Sequence, residues 1–418
     1  MSKVTRDMLT QGQLSGFEAL TNFYLNPHEN CMQIRGGSGT GKSTLLRFFM
    51  EEMPKLEEAA KLLFDDFEPP ELAFTATTNQ ACEALCSNMG SGYDVKTIHS
   101  KLGLRLQRNL QTGRNELVAN PRADKPFNEL IVVDEASFID QKLLGFHFSQ
   151  SDKCKFVFVG DDRQLTPVGS LYMPAFKMGN IIVELTEVKR QSPGPLYDLC
   201  MALRETVVGA AFPKIKPDGQ QLYRVTNNQF PAECLEIFKH PEIYGNAKVI
   251  CFSNDRVNEI NRYCSKHILG SAEPFEGQRM LANEAVVGRN HKINNGEEVY
   301  LDEVRPHTEF GVPGWLLKLR GKATVFFMPV SQAARKAKER EMRAAEEWSE
   351  LRIIDENWVD LRPSFACTIN KSQGSTYDTI LIDLGDIGRK VHHVPTLARM
   401  LYVGISRARS RVGLVGDL

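Results

Sequence analysis

Apolar residues in this chain fall into short, nearly unbroken runs rich in β-branched and aromatic side chains. CMQIR (31–35), ELAFTAT (71–77), ELIVVDE (129–135), CKFVFVGDD (154–162) and NIIVEL (180–185) are the clearest. Between them lie stretches with helical spacing, such as TLLRFFMEEM (44–53) and NQACEALCSNM (79–89). Unbroken apolar strands alternating with helices predict an α/β fold with a parallel sheet covered on both faces. Ligand-binding loops then belong beyond the carboxyl ends of the strands.

QSPGP, Gln191–Pro195, reads as a linker or hinge. Beyond it comes a second series of strands: AKVICFS (247–253), SFACTIN (364–370), DTILIDL (378–384) and RVGLVGD (411–417). These predict a second α/β domain, interrupted between about Asn290 and Pro363. The interruption opens with NNGEEVYLDEV and WLLKLRGKATVFFMPV, which read as a small β module. From Ser331 to Glu350 it becomes SQAARKAKEREMRAAEEWSE, a strong helix former expected to stand as a solvated surface arm. In the first half, LGLRLQRNLQTGRNELVANPRADKP (102–126) has two β-prone runs around a Gln-Thr-Gly turn, which predicts a hairpin. Lys101, Arg105, Arg108, Arg114, Arg122 and Lys125 in and beside it face only Glu116 and Asp124. A hairpin made soluble by charge and a nucleic-acid contact both fit that composition.

At 418 residues there is room for several domains with their own cores, and 42% hydrophobic with 25% charged residues is ordinary for a globular protein. The formal net charge of −1 neither favours nor opposes a nucleic-acid partner, since a neutral total can hide a basic groove. Nine cysteines are scattered without a C-x-x-C pair, so neither zinc nor disulfides are expected and a reducing cytoplasm fits best. The N-terminus lacks an apolar core segment and no run is long enough to span a bilayer, so a soluble protein without a membrane partner is expected.

The most specific local signal is GGSGTGKST, from Gly36, Gly37, Ser38, Gly39, Thr40 and Gly41 to Lys42, Ser43 and Thr44. Glycines let successive N–H groups curl around a phosphate, and a helix from about Lys42 to Met53 would point its positive end at the anion. Lys42 would reach the β- and γ-phosphates of ATP, while the Ser43 hydroxyl would ligate Mg²⁺. Asp134 and Glu135, closing an apolar strand, suit a Mg²⁺ ligand and a residue that orients or deprotonates water. Gln164, in GDDRQLTPVG, is a candidate γ-phosphate sensor, with Asp161 and Asp162 read as turn caps. Arg190 in LTEVKRQ, and Arg407, Arg409 and Arg411 in LYVGISRARSR, are candidate guanidinium donors to the transferred phosphate.

GGSGTGKST, TATTNQACEAL, KTIHSKLGL, VVDEAS, GDDRQLTPVG, LTEVKRQ, SFACTINKSQGSTYD and LYVGISRAR occur in the order of the superfamily 1 helicase motifs. More narrowly, TIHS and KSQGS resemble the superfamily 1B DNA helicases, the phage Dda-like and bacterial RecD-like branch. The resemblance implies two RecA-like domains: a first at 1–103 and 120–192, and a second at 193–289 and 364–418. A hairpin pin is implied at 104–119, and a small β-barrel with a helical arm at 290–363. It implies that Gln13 reads adenine, that Gln373 and Gly374 couple nucleotide to DNA, and that Gln164, Arg190 and Arg407 sense and neutralise the γ-phosphate. Thr78, Asn79, Thr97, His99, Thr368 and Asn370 match positions on the DNA-contacting motifs.

Three positions depart from the pattern. Asn370 stands where the family usually has histidine, Asn79 where Dda-like proteins place a stacking histidine, and Lys189 where UvrD-like enzymes often have tyrosine. The expectation is a monomeric, ATP- and Mg²⁺-dependent helicase that moves 5′-to-3′ on single-stranded DNA and unwinds forked duplexes. It would work in a bacterial or phage-infected cytoplasm, in replication or repair. A DNA-stimulated ATPase that clamps or remodels without processive unwinding, and an RNA helicase, are the alternatives.

Overall fold

The structure, a computed structural model, describes residues 3–64, 68–89, 95–108, 115–167, 169–187 and 194–418. The chain forms two compact units, Met1–Ile215 with His393–Ser406, and Lys216–His392 with Arg407–Leu418.

The first unit begins with α1 (Gln11–Leu25), β1 (Cys31–Gly36), α2 (Lys42–Leu63), β2 (Glu71–Ala76), α3 (Asn79–Met89), β3 (Lys96–Thr97) and α4 (Ile98–Lys101). It continues with β4 (Leu104–Arg108), β5 (Asn115–Ala119), β6 (Glu129–Asp134), α5 (Gln141–Ser149), β7 (Lys155–Gly160), β8 (Ile181–Leu185) and α6 (Pro195–Thr206). Six strands make one sheet in the order β3-β2-β6-β7-β1-β8. Every pairing in it is parallel. The central β6 and β7 are buried on both faces, which explains why their sequences show no polar alternation. Leu20, Phe23, Leu45 and Phe49 from α1 and α2 cover one face, and Ile139, Leu143 and Leu144 cover the other. The Lys155 ammonium donates to the carbonyls of Phe23 (2.8 Å), Tyr24 (3.2 Å) and Asn26, capping the C-terminal end of α1 and pinning it to β7.

The helix expected to stop near Met53 runs through Pro54 to Leu63. One proline removes a single helical hydrogen bond, and the following KLEEAAKLL strongly favours helix. The hairpin β4–β5 is antiparallel, with Leu104 opposite Ala119 and Arg108 opposite Asn115. Its Gln111-Thr112-Gly113 tip lies outside the described residues. Lys101 at its base is paired with Glu129 at 2.5 Å, and Lys125 donates to the Ser149 carbonyl at 2.9 Å. Arg105 and Arg122 are exposed.

In the second unit come β9 (Leu222–Val225), α7 (Phe230–Lys239), α8 (Pro241–Tyr244), β10 (Ala247–Cys251), α9 (Asn254–Cys264), β11 (Arg279–Ala282), β12 (Val286–Val287) and β13 (Lys292–Ile293). Then follow β14 (Glu298–Glu309), β15 (Val312–Leu319), β16 (Val325–Pro329), α10 (Gln332–Ala344), α11 (Trp348–Asn357), β17 (Leu361–Arg362), β18 (Ala366–Thr368) and α12 (Ile369–Ser372). The unit closes with β19 (Tyr377–Asp383), α13 (Leu384–Gly388) and β20 (Ala408–Val415). A second parallel sheet has the order β18-β10-β19-β20-β9. The fold is therefore α/β with two RecA-like parallel-sheet domains.

The inserted module is antiparallel, in the order β16-β15-β14-β11-β17. It begins at Arg279, upstream of the expected 290, because β11 pairs with β14. Its two edges are joined: Val359 donates to the Phe327 carbonyl of β16 at 2.8 Å, while Leu361 and Arg362 pair with β11. The charged segment expected as a free arm forms α10, and one stripe of it is buried. Met342 packs with Ile354, Trp358, Phe327 and Val312, so α10 and α11 lie on the barrel. Two further elements differ from expectation. The helix α6 and α14 (Val394–Ile405), placed by the motifs in the second domain, pack on each other within the first unit. No helix among the described residues is long and apolar enough to cross a membrane.

His147 on α5 is fully buried against Phe156 and Phe158, with ring centroids 5.1 and 5.6 Å away. Its Nδ1 bonds the Leu143 carbonyl at 2.8 Å, and burial pushes its pKa down to about 4. A histidine with a folded pKa below its unfolded one makes the unfolded state bind more protons between the two values. Stability should therefore fall as pH drops from 6.5 to about 4, and level off below. The slope for this one group is about 1.4 kcal/mol per pH unit. The check is thermal unfolding of the parent and His147→Phe across that range. The variant should lose less stability than the parent, and an identical acid-side loss would contradict a buried neutral imidazole.

Candidate functional site

The loop from β1 to α2 is shaped by contacts that exclude side chains. A Cβ on Gly36 would lie 2.6 Å from Thr40 Oγ1 and 2.8 Å from the Leu185 carbonyl oxygen. Gly41, the N-cap of α2, has φ +81°, and a Cβ there would lie 2.1 Å from Gln13 Nε2. Thr40 Oγ1 donates to the Gly37 carbonyl at 2.9 Å, which tightens the bend. Lys42 folds back across it, its ammonium donating to the carbonyls of Gly36 (2.7 Å) and Gly37 (2.9 Å). Ser43 and Thr44 sit in the first turn of α2, with Ser38 and Gly39 half-exposed ahead of them. Gln13 is buried: its carbonyl accepts the Thr10 N–H at 2.9 Å and its amide donates to the Gly41 carbonyl at 3.0 Å. It thus closes the capping box of α1 and holds the end of the loop at once.

These residues fit a polyphosphate. The loop is rich in glycine, it opens a long helix, and its one ammonium rests on carbonyls, which are weaker partners than phosphate oxygens. Asp134 ends β6 on the same sheet edge. Burial pushes its carboxyl up, against the pull of nearby Lys42 and the Glu135 N–H, which donates at 2.8 Å. A carboxylate near the loop's lysine, with a serine hydroxyl in the first turn of α2, offers hard oxygen donors of the kind that suit Mg²⁺ completed by phosphate and water. Among the described residues no group of three or more His, Cys, Asp or Glu side chains forms a metal cage elsewhere. Glu135 has φ +51° and ψ +41°, a left-handed conformation uncommon for glutamate. Thr77 Oγ1 donates to its carbonyl at 3.2 Å.

After β7, Asp161 is completely buried and is more than a turn cap. Tyr402 Oη donates to its carboxylate at 2.5 Å, and the Arg204 guanidinium stands 3.6 Å from it. Burial and the Asp161 carboxylate hold the Tyr402 phenol well above its ordinary pKa. Gln164 is buried at the end of the same turn, its N–H donating to the Asp161 carbonyl at 3.2 Å. Arg399 donates to the carbonyls of Asp162 (2.9 Å) and Gln164 (2.6 Å). Sequence reasoning missed Arg204, Arg399 and Tyr402. Each interrupts an apolar helical stripe, Arg204 beside Leu203 and Cys200, Arg399 and Tyr402 beside Ala398, Leu401 and Ile405. A polar group on such a stripe was the available signal.

The expected DNA-contacting residues of the first unit follow β2 and β3. Thr78 Oγ1 accepts the Ala81 N–H at 3.1 Å, and Thr97 Oγ1 accepts the Ser100 N–H at 3.2 Å, so both hydroxyls start helices. Asn79 is exposed and His99 half-buried; desolvation lowers the His99 pKa, with Asp140 opposing. In the second unit Thr368 caps α12 through the Lys371 N–H at 3.4 Å, and Asn370 is exposed. Gln373 and Gly374, at φ +79°, lead into β19, whose first residue Tyr377 donates to the Arg407 carbonyl at 2.9 Å. Gln373, Gly374 and Arg407 thus gather at the amino-terminal end of β19 and β20, and Thr368 at the carboxyl end of β18. Arg190 lies outside the described residues.

The tight contact at Gly41 gives a specific expectation. Gly41→Ala adds a left-handed alanine, costing roughly 1–2 kcal/mol, and also displaces the Gln13 amide. Binding of a fluorescent ATP analogue should weaken at least about ten-fold, with far-ultraviolet dichroism unchanged. Parental affinity would mean that the loop and Gln13 do not form the nucleotide seat.

Residues 23–170 match a family model described as an AAA domain, and residues 363–415 match a UvrD-like helicase C-terminal domain. The ATP-dependent DNA helicase dda of Enterobacteria phage T4 is 24% identical over 460 residues, covering 97% of this chain and 99% of that protein. A solved structure of two coordinating Pif1 helicases at forked double-stranded DNA superposes with a TM-score of 0.51 at 18% identity, covering 98% of this chain and 92% of that one. That likeness is one of fold. Beside it stand the AAA-domain match in the first half, the UvrD-like helicase C-terminal match near the end of the chain, and the end-to-end similarity to the phage helicase.

Proposed function

We propose that this protein is an ATP-dependent DNA helicase that moves 5′-to-3′ on single-stranded DNA and unwinds forked duplexes, acting as a monomer in the cytoplasm. The observation that carries the reading is the phosphate loop and the Asp134–Glu135 pair on one edge of a RecA-like sheet, in a chain that matches phage T4 dda end to end. Lys42 leaves the Gly36 and Gly37 carbonyls to bind the β- and γ-phosphates. Gln13, tied to Gly41, lies beside the loop where it can read the base. Ser43 and Asp134 would hold Mg²⁺, which supplies charge neutralisation on the phosphate oxygens. Glu135 orients the attacking water and takes its proton. Gln164, Arg190 and Arg407 stabilise the charge that develops on the transferred phosphate, and Gln373 and Gly374 couple that event to the strand.

Thr78, Asn79, Thr97, His99, Thr368 and Asn370 are the proposed strand contacts. The β4–β5 hairpin, with Leu106 63% exposed beside Arg105, has the apolar and cationic surface a separating wedge needs. That hairpin favours unwinding over a clamp, because a clamp needs no wedge. An RNA substrate is the second alternative, since phosphate contacts alone do not read the 2′-hydroxyl.

Glu135→Gln should still bind ATP but hydrolyse it roughly 10²–10⁴-fold more slowly, the span for a positioned acid or base. Single-turnover hydrolysis in the presence of single-stranded DNA is the measurement. A rate within a few-fold of the parent would assign the base elsewhere.

Strand displacement on duplexes with a single 5′ or 3′ tail, in DNA and RNA, tests polarity and substrate together. The 5′-tailed DNA should be unwound and the 3′-tailed one left intact, with Lys42→Ala inactive on both. Efficient opening from a 3′ tail would reverse the proposed direction, and equal opening of RNA would broaden the substrate.

A further inference from the structure

The turn from Asp161 to Gln164 is gripped at both ends by one helix. At its start, Tyr402 Oη donates to the Asp161 carboxylate at 2.5 Å. At its end, a single guanidinium nitrogen of Arg399 donates to the carbonyls of Asp162 and Gln164, at 2.9 and 2.6 Å. Arg399 and Tyr402 are one turn apart on α14, so both grips move together. The Tyr402 hydroxyl also stands 3.1 Å from where a Cβ on Gly37 would be, so the same helix abuts the phosphate loop. Arg204, on α6, sits behind them 3.6 Å from Asp161 and 3.8 Å from Asp162, nine-tenths buried. One residue beyond α14 and Ser406 comes Arg407.

We propose that Arg399 is a positioning residue for ATP hydrolysis: it fixes the backbone of the turn so that the Gln164 side chain meets the γ-phosphate. The proposal rests on the helicase reading above. The hydrogen bonds of Arg399 go to backbone carbonyls, with the Asp161 and Asp162 carboxylates nearby, so its effect reaches the reaction through the turn and Gln164. Its partners belong to the backbone and survive any side-chain change in the turn.

Loss of such a brace leaves the phosphate loop and its lysine in place. Arg399→Ala should therefore lower the kcat of DNA-stimulated ATP hydrolysis by roughly 10- to 100-fold, the scale of an ångström-sized misplacement. KM for ATP should stay within about two-fold. Arg399→Lys should recover part of the loss, since an ammonium can donate to the same carbonyls.

A residue that acts only through Gln164 predicts non-additivity: Arg399→Ala in a Gln164→Ala background should cost little further. A general structural role would instead add its loss to that of Gln164→Ala. Should the alanine variant fail to fold, Arg399→Lys carries the same cycle, with intermediate kcat and unchanged KM. Unchanged kcat in Arg399→Ala, or full additivity with Gln164→Ala, overturns the proposal. A parent without DNA-stimulated hydrolysis would instead sink the helicase reading beneath it, so the two failures are told apart.

Discussion

A backbone that must close around an anion has no room for side chains at its turning points, and most of the first unit is arranged around that exclusion. Gly36 lies against Leu185 of β8, Gly41 against Gln13 of α1, and Gly37 against Tyr402 of α14. Gly16 extends the theme away from the loop: a Cβ there would be 2.9 Å from both Leu45 of α2 and Val183 of β8. The helix that carries Gln13 is thus seated by a close approach at Gly16 and by Lys155 on its last carbonyls. Shifting any of these elements would move the phosphate loop, because interiors packed at crystal-like density transmit displacement rather than absorb it.

The charges at the site depend on the same geometry. Lys42 is held by two neutral carbonyls, and the nearby Asp134 carboxyl is pushed toward its protonated form by burial. An anion with a divalent cation relieves both, since it gives the ammonium a stronger partner and makes the ionised carboxylate favourable. The left-handed Glu135 is a local cost of about 1–3 kcal/mol that a fold keeps only where the surroundings enforce it. Here the Asp134 carboxylate and the Thr77 hydroxyl bind its N–H and carbonyl.

Much of this was legible in the chain. Buried parallel strands announce themselves as unbroken apolar runs, so β1, β2, β6, β7 and β8 fall on the segments read as strands. The phosphate loop is visible because glycine spacing reports a backbone requirement, and Asp134–Glu135 because acids close an apolar strand. What stayed hidden depends on tertiary contact. Helices α6 and α14 carry ordinary amphipathic patterns, and nothing in those patterns says which sheet they cover. Arg399 and Tyr402 work through carbonyls and one carboxylate far away in sequence. The helix α10 reads as a surface arm because its polar face is long, while its packing rests on Met342, the partly buried Ala334 and the neighbouring α11. The helix expected to end near Met53 continues through Pro54, because a helix with strong formers on both sides tolerates one missing bond.

The two RecA-like sheets end differently, and the difference bears on where chemistry can occur. In the first, the loop beyond β1 leaves its end to glycines and one lysine. In the second, the loop beyond β10 is already occupied by the protein's own anion. The Asp386 carboxylate accepts the N–H groups of Phe252 (2.9 Å) and Ser253 (2.8 Å) and the Ser253 hydroxyl (2.9 Å). Next to it, Asp383 takes Arg256 at 2.7 Å and caps α13 through the Asp386 N–H at 2.9 Å. Backbone donors that could face a phosphate are thus saturated by buried carboxylates, which would repel a second anion. The shared topology supplies a donor-rich loop twice; the side chains decide that only the first is left open to a nucleotide.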